Sequence, residues 1–324
     1  MKKPIIYITR KLPESLLQSY KEYFEFHMWK EEESSVPREI LLKESKMADG
    51  LLCMVSDAID AHYLTQNSQL KIVANNAVGY DNIDLQTAKK NEITVTNTPD
   101  VLTETTADLT FALLMATSRR LIEANQVIRD NQWKNWSPYF LAGTDIYNKT
   151  IGIVGMGRIG TAVARRAKGF GMRILYHNRR KNPEIEKELQ ATYVDFRTLL
   201  TESDFVVSLV PLTKETKHLF NKSAFHQMKQ EAIFINVSRG AVVQEDDLFE
   251  ALNKGVIRAA GLDVFETEPI TADHPYVSLD NVICLPHIGS ASEETRTKMI
   301  QLCLDNIYQY FYGDGPITPV FLTK

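Results

Sequence analysis

Thr150-Ile151-Gly152-Ile153-Val154-Gly155-Met156-Gly157-Arg158-Ile159-Gly160 is the stretch on which the reading of this chain turns. Its first five residues are mostly apolar and β-branched, as in a strand buried on both faces. A G-x-G-x-x-G pattern follows at once, and residues 161–170 then carry a helical pattern. Strand, glycine turn and helix in direct succession are the context a dinucleotide-binding loop requires. Glycines let the backbone approach a pyrophosphate, and the helix N-terminus favours its negative charge. The competing reading is an ordinary tight turn, and the flanking elements weigh against it.

Working outward, apolar runs recur at residues 173–176, 205–210, 232–237, 259–264 and 282–285. They are apolar nearly throughout, the mark of parallel strands covered by helices on both sides. Before the glycine loop, residues 5–9, 50–55, 71–75 and 93–96 read as strands, with helices at 14–24, 37–46 and 85–91. Residues 101–130 carry one long helical pattern, with Thr103, Thr106 and Asp108 near its start. A polar loop with Trp133 and Trp136 follows, and residues 293–312 form a last helix expected to pack back on the first series. The fold class is therefore α/β, with two doubly wound parallel sheets.

Composition agrees. The 324 residues are 44% hydrophobic and 24% charged, ordinary globular values. The formal net charge of -4 argues against a nucleic-acid binder driven by phosphate neutralisation. Three scattered cysteines form no C-x-x-C pair, so neither a disulfide framework nor a metal site is read. No run of about 18 apolar residues suggests a membrane span, and a cytoplasmic protein is expected.

The strand after the glycine loop bears on the choice of dinucleotide. An NAD-binding loop places an acid roughly 20 residues on, where it accepts from the ribose 2′-OH. Asn178 stands there instead, followed by Arg179, Arg180 and Lys181. A neutral amide beside guanidinium groups suits a 2′-phosphate, so NADP(H) is expected to be preferred, with NAD(H) the alternative. A solvated basic loop is the plainer reading of the same run.

Three further strand ends carry chemistry. One ends in Asn236-Val237-Ser238-Arg239-Gly240. The next, Gly261-Leu262-Asp263-Val264, runs into Glu266-Thr267-Glu268-Pro269. The last ends in Leu285-Pro286-His287-Ile288-Gly289. In open α/β sheets, ligands bind beyond the carboxyl ends of the strands. Reduction of a 2-oxo acid needs a cation for the carboxylate and a proton donor for the carbonyl oxygen. Arg suits the first task and His the second, and a neighbouring carboxylate orients the His ring. Singly, Glu268 reads as an exposed turn residue, while a loop charge at Arg239 and a core histidine at His287 are readings equal to the catalytic ones. Together, after a nucleotide loop, they read as a catalytic set.

These residues and most of the chain resemble the D-2-hydroxyacid dehydrogenase family, and within it the glyoxylate/hydroxypyruvate reductases. The matching segments also include Gly50-Leu51-Leu52-Cys53-Met54-Val55-Ser56-Asp57 and Asn97-Thr98-Pro99-Asp100-Val101-Leu102-Thr103-Glu104-Thr105-Thr106-Ala107. The resemblance implies that His287 is the general acid/base, that Glu268 pairs with it, and that Arg239 binds the substrate carboxylate. It implies substrate contacts from Val55 and from the backbone N–H groups of Val78 and Gly79. On the motif and spacing above, Gly155, Met156, Gly157, Arg158, Ile159 and Gly160 are expected to hold the cofactor, with Asn178, Arg179 and Arg180 at its 2′-phosphate. By the resemblance, Asp263 would hold the nicotinamide amide, and Thr106, Pro211, Val237 and Gly289 match cofactor-contacting positions.

The resemblance further implies two Rossmann-like domains, one flavodoxin-like and one dinucleotide-binding, with a cleft between them. A discontinuous substrate domain would span 1–99 and 290–324, with the coenzyme domain at 100–289. It implies a homodimer through the coenzyme domain, which would account for the long helix. A Trp matching Trp136 would reach the partner subunit's active site, although simple interface packing is an equal reading. Other family activities stay open, 2-ketogluconate reduction and phosphoglycerate oxidation among them. Formate dehydrogenases place Gln where Glu268 stands. A nucleotide-sensing corepressor, a binding protein on the same fold, also stays open.

Overall fold

The computed structural model describes residues 2–321. The chain divides into two compact units, one of Met1–Leu102 with Ala291–Lys324, the other of Thr103–Ser290.

The first unit is built on five parallel strands: β1 (Ile5–Ile8), β2 (Glu25–Met28), β3 (Gly50–Cys53), β4 (Ile72–Asn75) and β5 (Thr94–Thr96), in the order β2-β1-β3-β4-β5. Successive strand residues serve opposite faces. Leu51 and Val73 enter a core with Tyr63, whereas Leu52 and Ile72 enter another with Ile300, Leu304 and Ile307 of the last helix, Glu293–Tyr312. Burial on both sides explains the continuous apolar runs. The connecting helices are short: α1 (Glu14–Leu17), α2 (Arg38–Glu44), α3 (Ala61–Gln66) and α4 (Leu85–Lys90). Asp60 and Asp84 cap α3 and α4 by accepting from Tyr63 N and Thr87 N. The helix expected at 14–24 is one α turn and a 3₁₀ turn. The chain then enters β2, an edge strand that alternates between exposed and half-buried and so lacks the apolar signature of its neighbours.

The second unit opens with α5 (Thr103–Ser118) and α6 (Leu121–Arg129). The single helix expected over 101–130 is thus two. Arg120 takes a left-handed backbone (φ 52°), and Thr144 N donates to Ser118 O as the returning chain closes off the helix end. Next come β6 (Thr150–Val154), α7 (Arg158–Gly169), β7 (Arg173–His177), α8 (Pro183–Leu189), β8 (Thr192–Tyr193), α9 (Phe196–Glu202) and β9 (Phe205–Ser208). They are followed by α10 (Lys222–Gln227), β10 (Ile233–Asn236), α11 (Glu245–Asn253), β11 (Ala259–Leu262) and β12 (Val282–Cys284). The seven strands are all parallel, in the order β12-β11-β10-β9-β6-β7-β8. The winding reverses between β6 and β9, the switch point where such sheets open a crevice for ligands. Both units are therefore doubly wound α/β folds. The last helix is α12 (Glu293–Tyr312), whose limits coincide with the apolar periodicity. No helix among the described residues is long and apolar enough to cross a membrane.

Candidate active site at the strand ends of the second unit

The three glycines after β6 do different work. Gly155 has φ +103°, and a Cβ there would lie 2.7 Å from the Leu209 carbonyl. A Cβ on Gly160 would strike the Gly155 carbonyl oxygen, so this glycine lets α7 start against the turn. At Gly157 a Cβ would meet nothing within 4 Å. Gly157 is needed neither by its backbone angles nor by the protein's own packing, and the open space beside it fits a pyrophosphate at the start of α7. Gly157 caps α7 with no side-chain hydrogen bond. A nicotinamide dinucleotide fits this loop.

Asn178, at the end of β7, accepts from Met156 N at 2.9 Å, and its amide nitrogen lies 3.4 Å from Met156 O. It braces the glycine turn. Arg179 and Arg180 are exposed just beyond it. His177 is half-buried; its Nδ1 lies 3.0 Å from Val194 O and its ring stacks on Tyr193.

Arg239 leaves the end of β10 in an extended conformation. Its carbonyl accepts from Asn236 Nδ2 at 3.0 Å, and its Nη1 donates to Ser238 O at 2.8 Å. Gly240 packs so tightly on the Phe265 backbone that a Cβ would overlap it. That contact joins the Arg239 turn to the turn that carries Glu268. Glu268 Oε1 accepts from Phe265 N at 2.9 Å, and its Oε2 lies 2.7 Å from His287 Nδ1. Burial pushes the Glu268 carboxyl up. The His287 hydrogen bond and charge, the Phe265 N–H and the Arg239 charge outweigh it, holding the group below the usual glutamate range. Glu268 is therefore ionised at neutral pH and accepts from Nδ1, which leaves Nε2 to face a reactant.

His287 sits at φ 54°, left-handed and unusual for a histidine. Asp263, fully buried, catches the chain just beyond it: Ile288 N donates to Oδ1 and Gly289 N to Oδ2, each at 2.8 Å. Burial raises the Asp263 carboxyl, against the opposing pull of the two N–H groups and the His287 charge. A Cβ on Gly289 would lie 3.2 Å from Asp263 Oδ2 and 3.4 Å from Thr106 and Val237 carbons. Thr106, Val237, Asp263 and Gly289, singled out from scattered segments, thus converge. Pro211 is exposed beyond β9, its carbonyl accepting from Thr216 Oγ1 at 2.6 Å. Among the described residues no His, Cys, Asp and Glu cluster is set to hold a metal.

In the first unit, Val55, Val78 and Gly79 lie half-buried in the turns after β3 and β4. The carbonyls of Val78 and Gly79 accept from Asn97 and Asn75, both at 2.8 Å, and among the described residues neither N–H meets an acceptor. Trp136 is 76% exposed, in a loop that also exposes Trp133, Tyr139 and Phe140. The bracing residues Asn75 and Asn236 went unremarked in the sequence, although each closes an apolar strand with a polar residue, Ile-Val-Ala-Asn and Ile-Phe-Ile-Asn.

Residues 111–289 match the family model described as "D-isomer specific 2-hydroxyacid dehydrogenase, NAD binding domain". The chain belongs to the D-isomer specific 2-hydroxyacid dehydrogenase family. Members are NAD(P)-dependent oxidoreductases. A glyoxylate reductase of Thermococcus onnurineus is 50% identical over 98% of this chain and 96% of its own. A crystal structure of a Thermus thermophilus protein superposes with a TM-score of 0.91 at 42% identity, covering 98% of this chain and 100% of that one. An NADPH-dependent glyoxylate/hydroxypyruvate reductase of Sinorhizobium meliloti, in complex with NADP and malonate, gives 0.86 at 34% identity, covering 98% and 97%.

Two predictions arise from this geometry. Gly157→Ala should change stability by less than about 0.5 kcal/mol, yet weaken nicotinamide dinucleotide binding severalfold. Thermal melts with fluorescence titration check both, and an unchanged Kd would contradict the loop assignment. The stability that ionised Glu268 contributes should be present above the ordinary value of 4.5 and lost as pH falls through its lower folded value. The Tm difference between the wild type and Glu268→Gln should therefore shrink below about pH 4.5. A gap constant from pH 7 to pH 3 would count against the pairing.

Proposed function

We propose that this enzyme is an NADPH-preferring reductase of small 2-oxo acids, glyoxylate and hydroxypyruvate, forming D-2-hydroxy acids in the cytoplasm. The observation that carries the reading is the 2.7 Å contact between Glu268 and His287 beside Arg239's turn, at the edge that also holds the glycine loop. Likeness to the Thermococcus glyoxylate reductase and the Sinorhizobium glyoxylate/hydroxypyruvate reductase supports the substrate class.

The coenzyme domain holds the dinucleotide along Gly155, Met156, Gly157, Arg158, Ile159 and Gly160, with Thr106, Pro211, Val237, Asp263 and Gly289 as further contacts. When bound, it supplies the hydride. Arg239 takes the substrate carboxylate in a bidentate grip and draws charge from the neighbouring carbonyl. The Val78 and Gly79 N–H groups donate to the same carboxylate, and Val55 lines the substrate. His287 Nε2 delivers a proton to the carbonyl oxygen while Nδ1 stays with ionised Glu268, which keeps the ring oriented through the transfer.

Arg179 and Arg180 provide the charge for a 2′-phosphate, and Asn178, tied to Met156, presents no carboxylate to repel it. The exposed aromatic loop and the exposed Leu121 and Ile122 of α6 support a homodimer through the coenzyme domain, with Trp136 reaching the partner's site.

The test is nucleotide oxidation, NADPH and NADH separately, with glyoxylate, hydroxypyruvate, pyruvate and 2-ketogluconate. The highest kcat/KM should come with NADPH and the two acids named in the proposal. Equal or better efficiency with NADH would overturn the cofactor preference. Nucleotide binding without oxidation would favour a sensing protein.

A further inference from the structure

The first unit contains a buried ion pair that takes no part in this chemistry. Arg10 and Asp57 are 8% and 4% exposed, with Nη1 3.1 Å from Oδ1. Asp57 Oδ2 also accepts from the Thr9 hydroxyl and from Met54 N, the latter at 2.8 Å. Arg10 Nη2 donates to the hydroxyls of Ser35 and Ser56, and Nη1 also donates to Thr9 O at 2.7 Å. Desolvation cancels much of the attraction in so deep a pair, so stability alone is a poor reason for its presence.

The pair sits under one particular turn. Asp57 N donates to Met54 O at 3.0 Å, closing a turn with half-buried Val55 and exposed Ser56 at its tip. Asn82 Nδ2 holds the same turn, donating to Met54 O at 3.2 Å and Asp57 O at 3.1 Å. The Asn82 amide also exchanges hydrogen bonds with Asn75, whose Nδ2 donates to Gly79 O at 2.8 Å. Ion pair, Val55 turn and Val78–Gly79 loop thus form one connected polar network inside one unit.

We propose that Arg10 and Asp57 are positioning residues for the 2-oxo acid. Their ion pair fixes the Val55 turn and, through Asn82 and Asn75, the Val78 and Gly79 amides, and so sets substrate affinity. This rests on the reading above, in which those two loops receive the substrate.

The experiment is steady-state kinetics of Arg10→Lys and Asp57→Asn with glyoxylate at saturating nucleotide, with nucleotide Kd and Tm measured alongside. KM for glyoxylate should rise about tenfold or more, with kcat within about threefold of wild type and nucleotide Kd unchanged. Arg10→Lys keeps the charge and should retain more affinity than Asp57→Asn. Removing one partner leaves the other charge buried alone. Should a single variant fail to fold, the double variant Arg10→Met/Asp57→Asn buries no unpaired charge and should show the same KM rise. A purely structural role predicts a lower Tm with KM unmoved, which would overturn the proposal, as would losses shared by kcat and nucleotide affinity. A wild type that oxidises neither nucleotide with glyoxylate would instead overturn the functional reading beneath it.

Discussion

Parallel pairing in a fixed register brings the turns of the candidate site together. Across the second sheet, Cys284 pairs with Leu262, Leu262 with Asn236, Asn236 with Ser208, Ser208 with Val154, and Val154 with His177. These six residues form a single row at the carboxyl edge. The chain leaves that row into the His287 turn, the Asp263 segment, the Arg239 turn, the Pro211 loop, the glycine loop and Asn178. A slip of one residue on any strand would turn its side chains to the opposite face and break the convergence.

At that edge, order is imposed mainly by polar side chains binding backbone. Asn178 holds Met156, Asn236 holds the carbonyl of Arg239, and Asp263 holds the two peptides after His287. The last matters most, because a left-handed histidine costs on the order of 1–3 kcal/mol and persists only where its surroundings over-determine it. Two N–H groups on one buried carboxylate meet that condition. Glu268 then holds the ring as Asp263 holds the backbone, so both the ring and the main chain of His287 are fixed by carboxylates of the same unit. The first unit repeats the device: Asn75 and Asn82 bind the carbonyls of its two half-buried turns.

The parallel sheets were legible because burial on both faces leaves an unbroken apolar run, and the strands at residues 50–53, 150–154 and 233–236 are of that kind. The edge strand Glu25–Met28 was not, since half of its side chains face solvent. Nor was the break at Arg120, which depends on a hydrogen bond from Thr144, remote in sequence. Arg239, Glu268 and His287 were legible as polar residues following strand ends, and the structure brings Glu268 against His287. The bracing by Asn178 and Asp263 was not, because a polar residue beside a turn does not announce which backbone group it will bind. The Arg10–Asp57 pair, 47 residues apart, was invisible for the same reason.

The central claim is that the strand-end set transfers the proton and that His287 is the group that does so. The direct measurement is single-turnover nucleotide oxidation by His287→Ala with glyoxylate, paired with nucleotide Kd. The account predicts a loss of about 10²–10⁴ in rate with Kd unchanged. A variant that turns over at the wild-type rate would contradict it.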